Sequence, residues 1–515
     1  MKKMKKLLSL VLTVAMVVAM GVTVFADSPN TCSISIKEAK TGHTYSAYQI
    51  FSGKLEEQTL SDVVWGAGVN TTTSVEGKTL IQAINEITGF ASCTDAKSVA
   101  KALENQSSDV VDQFAKVVDK YLATAAGTAT APANGKYTIS GLAAGYYFVK
   151  DTANMEGKHD SNTKFIVEVL GSKEVEPKTD VPTVEKKVKE TNDTTGIETG
   201  WQDAADYDIG DHVPFQLTGT MPSKLDEYST YYYKFTDTLS TGLTNDKNAI
   251  VFLKNGNVEK EVTNQFNITE NDNSLTIECE NVKGITKDDK NENVTVTKDS
   301  KFIVRYTAKL NENAVIGSKG NPNKVDLTFS NNPNGEGKGK TPEDKVIVFT
   351  YKIVANKVNE NKQPLKGAGF TLYKVDKDGN KTKVGNEVKG ENLTAFEFKG
   401  TDAGKYVLEE TTTPSTYNKA EDLEFEVVAT YDTKADAPTL KNLVVNDKNG
   451  NQISGENLTF TVSKNDGSAT TTIVNKKGSV LPSTGGIGTT IFYVIGGILM
   501  VGAGVILVSR RRRSK

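Results

Sequence analysis

Alternation of apolar and polar residues, which is typical of strands with one buried face, recurs along most of this chain. In the first third of the chain it occupies residues 32–36, 45–51, 137–139, 145–149 and 165–169. Farther on, the alternating stretches are separated by short segments rich in Asn, Asp and Gly, which are turn-forming residues. Leucine is scarce relative to the β-branched residues, and this composition also favours strands over helices. The chain is therefore predicted to be mainly β.

One part of the first region has a helical period instead. In residues 107–122 the apolar residues recur at the spacing of one helix face, behind a Ser-Ser-Asp start signal. A second helix is predicted around residues 80–87. The strand patterns resume after these helices. The first region is thus expected to be a β-sandwich with a helical insertion.

Length and linkers predict three folded domains between the two ends of the chain. A chain of 515 residues is too long for one hydrophobic core. A polar, proline-containing joint at residues 175–182 separates a first domain, residues 27–177, from a second all-β domain, residues 182–345. A third all-β domain is predicted at residues 346–477. The expected architecture is a tandem array of immunoglobulin-like β-sandwich domains.

The N-terminal end has the pattern of a signal peptide. Residues 1–26 combine four lysines, an apolar run and small residues at a cleavage position. The mature chain is therefore expected to begin at Asp27. An uncleaved membrane anchor is the alternative, although the apolar run is short for a spanning helix.

The C-terminal end combines a short motif, an apolar segment and a basic tail. The apolar segment, residues 487–508, is long enough to cross a bilayer, and four arginines follow it. Arginines favour the cytoplasmic side of a membrane, so this end would hold the motif just outside the membrane. The motif precedes the segment, within the predicted C-terminal signal 481–515, and consists of Leu481, Pro482, Ser483, Thr484 and Gly485.

Composition argues against several functional classes. The 61 basic and 64 acidic residues nearly cancel, so no overall field would attract nucleic acid. Three histidines lie far apart in the sequence, and no hydrolytic enzyme, metal site or cofactor is expected. Of the three cysteines, Cys32 and Cys93 either form a disulfide, with Cys279 left as a buried thiol, or all three are thiols.

Strand parity in the third domain turns three reactive side chains toward one core. Lys357 shares the inward parity of Ile353 and Ala355, Asn475 points inward on the last strand, and Glu410 ends another strand. Burial lowers the pKa of a lysine and raises that of a carboxylic acid, which yields a free amine and an acid that polarises an amide carbonyl. These groups can form an amide with loss of ammonia. The alternative is a Lys357 whose amine reaches solvent and a surface Asn475.

A repeated pattern links the first and third domains. Residues 145–151 and 404–410 both contain a tight turn, a tyrosine-bearing strand and a terminal carboxylate, which implies related domains. Asp151 holds the carboxylate position in the first domain. The last strand predicted there, residues 165–170, has no asparagine. We therefore expect no Lys–Asn bond in the first domain.

The third domain is similar to a known family. Residues 367–373, together with Glu410 and Pro414, resemble collagen-adhesin B-type (CnaB-like) domains, which form Lys–Asn isopeptide bonds. The resemblance implies a bond between Lys357 and Asn475, with Glu410 as the promoting carboxylate. The bond would form without an external enzyme.

Three segments of the second domain, residues 184–188, 235–244 and 321–331, form a recognisable set. They resemble the second domain of backbone pilins, in which Lys, Asp and Asn form the same kind of bond.

Strand parity and this resemblance together select the residues of the second bond. Lys186, rather than Lys187, has the inward parity of its strand. The resemblance implies that Asp237 promotes a bond from Lys186 to an asparagine. Asn323 is selected because it starts its strand as Lys186 does, and Asn331, which has the same parity, is the alternative.

The C-terminal motif, span and basic tail resemble the cell-wall sorting signal of sortase substrates. The resemblance implies cleavage between Thr484 and Gly485 and transfer of Thr484 to an amine. Residues 175–178 resemble the pilin motif, in which the lysine, here Lys178, accepts the acyl group of the next subunit. Glu176 stands where an aromatic residue often precedes the proline of that motif.

The mature chain as a whole resembles the major (backbone) pilins of sortase-assembled pili in Gram-positive bacteria. The resemblance implies a secreted, wall-anchored structural subunit of a cell-surface pilus, joined through Lys178 and Thr484. The expected partners are other copies of the chain, pilin-type and housekeeping sortases, peptidoglycan, minor pilins and a host ligand. The alternative function is a monomeric wall-anchored adhesin that presents the first domain to a host ligand.

Overall fold

The structure is a computed structural model, and its described part divides into two compact units. The described residues are 32–38, 40–56, 59–104, 106–176, 181–447, 449–451, 453, 460–478, 495, 499–501 and 503. The first unit comprises the described part of Met1–Thr191, with Ile197–Thr350 and Thr430–Asn442. The second unit comprises Asn192–Gly196, Tyr351–Ala429 and the described part of Leu443–Lys515.

The first region of the chain combines two small sheets with three helices. A three-stranded sheet has the order β5-β1-β8, and a five-stranded sheet has the order β3-β2-β6-β7 with β4 added beside β2. The elements are β1 Cys32–Ile36, β2 Tyr45–Glu56, β3 Thr59–Trp65, α1 Leu80–Ile84, α2 Ala96–Leu103, α3 Ser108–Asp119, β4 Gly127–Ala129, β5 Tyr137–Leu142, β6 Gly145–Asp151, β7 Lys164–Val169 and β8 Ser172–Val175.

The helical insertion is confirmed, with one helix more than the sequence predicted. Helix α3 lies inside the predicted 107–122 segment, and α1 is shorter than the segment predicted around 80–87. Helix α2 begins after Asp95, whose carboxylate accepts a hydrogen bond from the Ser98 backbone N–H over 2.8 Å. This side chain satisfies a backbone donor at the helix start, as N-cap residues do.

The last strand of the first region differs from the prediction. The chain does not end its sheets at residues 165–170, because β8 follows and pairs in parallel with β1. In β8, which is short and polar, Val175 alone is fully buried. The alternating pattern that identifies a strand is therefore weak there. Like the predicted strand, β8 contains no asparagine.

All three cysteines are free thiols, so a disulfide is not present. Cys32 lies in the core between the small sheets, whereas Cys93 lies in a separate core formed with the helices. Cys279 is only half-buried, at the edge of the second region's core. Burial raises the pKa of all three thiols.

The second region is built from two larger sheets around one extensive core. One sheet has the order β17-β16-β20-β13-β9 with β15 beside β20, and the other has the order β12-β23-β21-β14-β19-β18 with β22 beside β21. The strands of these two sheets are β9 Val184–Val188, β12 Ala204–Asp206, β13 His212–Thr220, β14 Tyr233–Leu239, β15 Leu243–Asn245, β16 Ile250–Asn255, β17 Val258–Glu261, β18 Asn267–Asn271, β19 Ser274–Cys279, β20 Lys301–Leu310, β21 Asn321–Ser330, β22 Lys338–Lys340 and β23 Asp344–Phe349. Between β9 and β12, β10 Thr191–Asn192 and β11 Ile197–Glu198 form a separate two-stranded sheet.

Strict alternation explains why these strands form a two-layer structure. In β13 every second residue is buried, from Val213 through Gly219, and β14 shows the same period. Apolar side chains from both sheets therefore meet in one layer, as in a β-sandwich. Single-turn 3₁₀ helices occur in the connections at Leu225–Glu227, Thr263–Gln265 and Val282–Gly284.

The third region is again a pair of sheets. One has the order β28-β24-β33-β32, and the other has the order β26-β25-β29-β30-β31 with β27 beside β25. The first and last strands, β24 and β33, are parallel neighbours. The strands are β24 Tyr351–Asn359, β25 Gly369–Val375, β26 Lys381–Lys383, β27 Val388–Lys389, β28 Ala395–Thr401, β29 Gly404–Thr412, β30 Leu423–Tyr431, β31 Leu440–Asp447, β32 Thr461–Ser463 and β33 Ser468–Asn475.

The predicted mainly β fold with tandem sandwiches and a helical first region is confirmed. The domain boundaries stay predictions. The signal peptide at 1–26 lies outside the described residues, and so does almost all of the 487–508 segment. Among the helices that are described, none is both long and apolar enough to cross a membrane.

Candidate cross-linking sites

Two neighbouring strands and one facing strand build the site in the third region. Lys357 lies on β24, and Asn475 lies on β33, whose pairing puts Asn475 opposite Asn359 and Ile473 opposite Lys357. The two side chains thus lie two residues apart along one face of the sheet. Glu410 comes from β29 in the other sheet. The three side chains, which the sequence predicted would meet, are brought together.

The contacts in this site are direct. Lys357 Nζ contacts Asn475 Oδ1 and lies 3.2 Å from Glu410 Oε1. Asn475 Nδ2 lies 2.7 Å from Glu410 Oε1 and 3.0 Å from Oε2. The backbone N–H of Ala420 donates to Glu410 Oε2 over 2.7 Å. The carboxyl group therefore touches both the amine and the amide nitrogen.

Burial sets the chemistry of this site. Lys357, Glu410 and Asn475 are at most 2% exposed. Burial lowers the pKa of Lys357, although the nearby Glu410 opposes that effect. The Phe370 ring, whose centroid lies 5.6 Å from Lys357 Nζ, completes an apolar wall. A lysine with a lowered pKa more readily gives up its proton, and the neutral amine that remains is a nucleophile.

The site in the second region joins its two sheets. Lys186 lies on β9 of one sheet, and Asp237 and Asn323 lie on β14 and β21 of the other. The three side chains are fully buried. Lys186 Nζ contacts Asp237 Oδ2 directly. Burial lowers the pKa of Lys186 and raises the pKa of Asp237, while the attraction between the two groups opposes both shifts.

Tyr306 links the lysine to the asparagine in this second site. Its hydroxyl lies 2.9 Å from Lys186 Nζ, 2.9 Å from Asp237 Oδ1 and 2.8 Å from Asn323 Nδ2. The sequence interpretation did not include this residue. The available signal was its position within the alternating buried series of β20, between Val304 and Ala308, since a buried tyrosine hydroxyl usually requires a polar partner.

The alternative asparagine lies elsewhere. Asn331 follows the end of β21, and its Nδ2 donates to the backbone oxygen of Met155 over 2.5 Å. The backbone N–H of Asn162 in turn donates to the backbone oxygen of Asn331 over 2.9 Å. Asn331 thus contacts the loop between β6 and β7, and Asn323 is the candidate that reaches the lysine through Tyr306.

The first region has a different partner for its carboxylate. Asp151 Oδ2 lies 2.8 Å from His43 Nδ1, and Asp151 Oδ1 accepts a hydrogen bond from the Thr44 backbone N–H over 3.0 Å. His43 Nε2 lies 3.4 Å from Asp160 Oδ2. Burial lowers the pKa of His43, but the hydrogen bonds and charges of Asp151 and Asp160 outweigh it and raise that pKa to about 9. In the first region the carboxylate thus pairs with a histidine, whereas in the other two sites it contacts a lysine.

The predicted intermolecular residues, Lys178 and Thr484, lie outside the described residues, as does the whole motif at 481–485.

Comparison with known families decides the identity of the chain. The family model described as Gram-positive pilin backbone subunit 2, Cna-B-like domain, matches residues 209–333, and the SpaA prealbumin-like fold domain matches residues 351–440. The LPXTG cell wall anchor motif matches residues 473–515. The trypsin-resistant surface T6 protein of Streptococcus pyogenes serotype M6 is 29% identical over 397 residues, which cover 65% of this chain and 70% of that protein. The chain is a Gram-positive backbone pilin.

A solved structure supports the fold of this pilin. The T6 backbone pilin of serotype M6 Streptococcus pyogenes is 19% identical, with a TM-score of 0.52, and the match covers 88% of this chain and 100% of that one. This match confirms the predicted mainly β fold. The family models and the T6 relative confirm the predicted family, the role as a pilus structural subunit and the location at the cell wall.

Membership of this family also establishes the general role of the pilin. As a backbone subunit with an anchor motif, the pilin polymerises and attaches to the cell wall. It belongs to a structural family and not to an enzyme family.

Proposed function

We propose that each subunit of this pilin is stiffened by self-formed Lys–Asn isopeptide bonds. In the third region the bond joins Lys357 to Asn475, with Glu410 as the promoting carboxyl group. The observation that carries this proposal is the mutual contact of an amine, an amide and a carboxyl group that are all buried. Solvent is excluded from the three groups, so their reaction does not compete with hydrolysis.

The proposed reaction needs no cofactor. The neutral Nζ of Lys357 attacks Cγ of Asn475, and a C–N bond forms. One proton leaves Nζ and reaches Nδ2 through the Glu410 carboxyl group, which touches both nitrogens. The bond from Cγ to Nδ2 then breaks, and ammonia departs. Because the fold already holds the reacting groups in contact, the reaction avoids the loss of entropy that an encounter in solution would require.

A second bond is proposed in the second region, from Lys186 to Asn323 with Asp237 as the promoting carboxyl group. Its support is the full burial of the three side chains, together with the lowered pKa of Lys186 and the raised pKa of Asp237. This bond would tie the two sheets of the region to each other, because its residues come from both.

Between subunits, we infer that a pilin-type sortase joins Thr484 of one copy to Lys178 of the next. The matched anchor motif supports the sortase step. A housekeeping sortase would transfer the last subunit to peptidoglycan, and minor pilins and a host ligand are further proposed partners. Three domains, 27–177, 182–345 and 346–477, would form each unit of the shaft. The T6 backbone pilin is described as a modular three-domain structure.

Two measurements test the proposed function. Intact mass of the recombinant mature chain should be lower than the sequence mass by two ammonia molecules, and peptides that contain each Lys–Asn pair should be found cross-linked. Boiled cell-wall extracts of the source bacterium should show a ladder of high-mass species that carry this pilin. A sequence mass without loss of ammonia contradicts the internal bonds, and a single diffuse band contradicts the polymer and favours the monomeric adhesin.

A further inference from the structure

The two proposed cross-linking sites place their carboxyl groups differently. In the third region Glu410 touches the amide nitrogen of Asn475 directly, over 2.7 and 3.0 Å. In the second region the carboxyl group belongs to an aspartate, which is one methylene shorter. Within the described structure, the amide nitrogen of Asn323 donates to the Tyr306 hydroxyl, over 2.8 Å, and the Asn323 Oδ1 is buried without a hydrogen-bond partner.

The hydrogen-bonding capacity of a tyrosine hydroxyl fixes the direction of each bond at Tyr306. A phenol has one proton to donate and oxygen lone pairs that accept. The amide nitrogen of Asn323 only donates, and the Lys186 amine has N–H groups to donate. The Tyr306 proton therefore goes to Asp237 Oδ1, over 2.9 Å, and the oxygen accepts from the two nitrogens.

The Tyr306 hydroxyl carries its proton before the reaction begins. Burial and the neighbouring Asp237 raise the pKa of Tyr306 well above its usual value, so the hydroxyl is protonated. Tyr306 is 3% exposed, and the other three side chains are fully buried. The Tyr306 hydroxyl is thus the group that contacts the attacking nitrogen, the leaving nitrogen and the carboxyl group together.

We propose that Tyr306 is a catalytic residue that relays a proton from Asp237 to the leaving amide nitrogen of Asn323. The inference rests on the proposed function. Lys186 Nζ bonds to Cγ of Asn323 and passes one proton to Asp237 Oδ2. Once Asp237 is protonated, its hydrogen bond with Tyr306 reverses, so that the carboxyl group donates to the tyrosine oxygen and the hydroxyl turns its proton toward Nδ2. The hydroxyl gives that proton to Nδ2 and regains one from the Asp237 carboxyl group. The bond from Cγ to Nδ2 breaks, and ammonia leaves with Asp237 and Tyr306 in their starting states.

The relay explains how an aspartate and a glutamate serve two sites of the same chain. Glu410 reaches both nitrogens of its site by itself. Asp237 contacts the lysine nitrogen, and the hydroxyl of Tyr306 bridges Asp237 to the amide nitrogen of Asn323. Aspartate with tyrosine in the second region is therefore the functional counterpart of glutamate alone in the third.

The test is the time course of ammonia loss after cell-free synthesis of the full mature chain. Tyr306→Phe keeps the ring and removes the hydroxyl, so the second bond should form slower by roughly a hundredfold or more, the usual contribution of a positioned acid–base group. The bond between Lys357 and Asn475 in the same molecule serves as the internal standard and should form at its normal rate. Formation of the second bond at the wild-type rate overturns the relay.

Two further variants separate catalysis from a structural role. Tyr233→Phe is the matched control, because Tyr233 is fully buried in the same core and its hydroxyl donates to the Thr220 backbone oxygen over 2.9 Å. This variant should cross-link at the normal rate, and equal slowing in both tyrosine variants contradicts the relay.

Rescue provides the positive test. In the double variant Tyr306→Phe with Asp237→Glu, the longer acid should reach the Asn323 nitrogen as Glu410 reaches that of Asn475, and bond formation should recover by at least about tenfold over Tyr306→Phe alone. A double variant as slow as the single one overturns the relay. A wild-type chain without the second cross-link contradicts the proposed function itself, so the two failures are distinguishable.

Discussion

Asn475 Nδ2 lies within hydrogen-bond distance of both carboxylate oxygens of Glu410, at 2.7 and 3.0 Å, in a site where neither side chain is more than 2% exposed. Because a buried polar group is costly without a partner, this pair is held in one arrangement. That arrangement also leaves Glu410 in contact with the amine of Lys357. Because Glu410 contacts both nitrogens of the proposed reaction, its substitution is the most informative test of the site.

The first prediction concerns Glu410→Gln. Glutamine has a similar shape but cannot take up and release the proton, so the bond between Lys357 and Asn475 should not form. Loss of a covalent loop of this length lowers the free energy of unfolding by about 4–5 kcal/mol on the disulfide model. The Tm of the third region should fall by on the order of 20 °C. The difference between sequence mass and intact mass should shrink by one ammonia, and an undiminished difference would show that Glu410 is not the promoting group.

The second prediction compares two adjacent lysines of β9. Lys186→Met should abolish the second bond and add one ammonia to the mass, with a cost to unfolding free energy of about 4–5 kcal/mol. Lys187→Met is the matched control. Lys187 points to the other face and makes ion pairs with the exposed Glu185 and the buried Asp203, so its loss should cost some stability but leave the bond intact. Loss of the bond in both variants would contradict the assignment.

These two lysines show how much of the sites could be predicted from sequence. Parity along one strand is a local property, and it identified the inward side chains Lys186, Lys357 and Asn475. The contact with Tyr306 depends instead on β20, β13 and β9 lying side by side in one sheet that faces β14 and β21. That order is set by packing between distant segments, and no short pattern encodes it.

The same distinction explains the errors in the fold. The strongly alternating strands and the long amphipathic helix α3 were predicted, because each has a clear period. Helix α2 has eight residues, three of them alanine, and β8 has four residues with one fully buried. Helix α2 does carry signals, an N-cap at Asp95 and an apolar face of Ala96, Val99 and Leu103, but it spans only about two turns. Strand β8 is too short for an alternating period to be recognised.

The third prediction concerns pH and the first region. The pKa of His43 is raised to about 9 from its ordinary value of 6.5, so the stability it contributes is complete below pH 6.5 and is lost as the pH rises through 9. The difference corresponds to at most about 3 kcal/mol. Fluorescence of Trp65, recorded in a Trp201→Phe background, should report a falling Tm between pH 6.5 and 9.5. His43→Gln should flatten this dependence, and a parallel decline in that variant would contradict the role of His43.

The fourth prediction also concerns the first region, which should contain no isopeptide bond. Asp151 is already paired with His43 rather than with a lysine, and β8 supplies no asparagine. Peptides from residues 27–177 of the mature chain should therefore all be recovered with their sequence masses. A cross-linked peptide or an ammonia loss confined to this region would contradict the prediction.

The fifth prediction is that Lys178 is the acceptor of the acyl group of Thr484. Lys178 belongs to the proline-containing sequence 175–182, and a lysine with the ordinary pKa is mostly protonated near neutral pH. The sortase must therefore deprotonate the amine and position it for attack. What distinguishes Lys178 from other lysines is its position in the sequence, at the joint between the first two predicted domains. Lys178→Ala should abolish the high-mass ladder of boiled wall extracts while single subunits still reach the wall and keep both internal bonds.

Two other lysine variants serve as controls for this prediction. Lys173→Ala, in strand β8, is the matched control and should retain the ladder. Lys186→Ala should lose an internal bond but also retain the ladder. A normal ladder from the Lys178→Ala strain would assign the acceptor to another lysine.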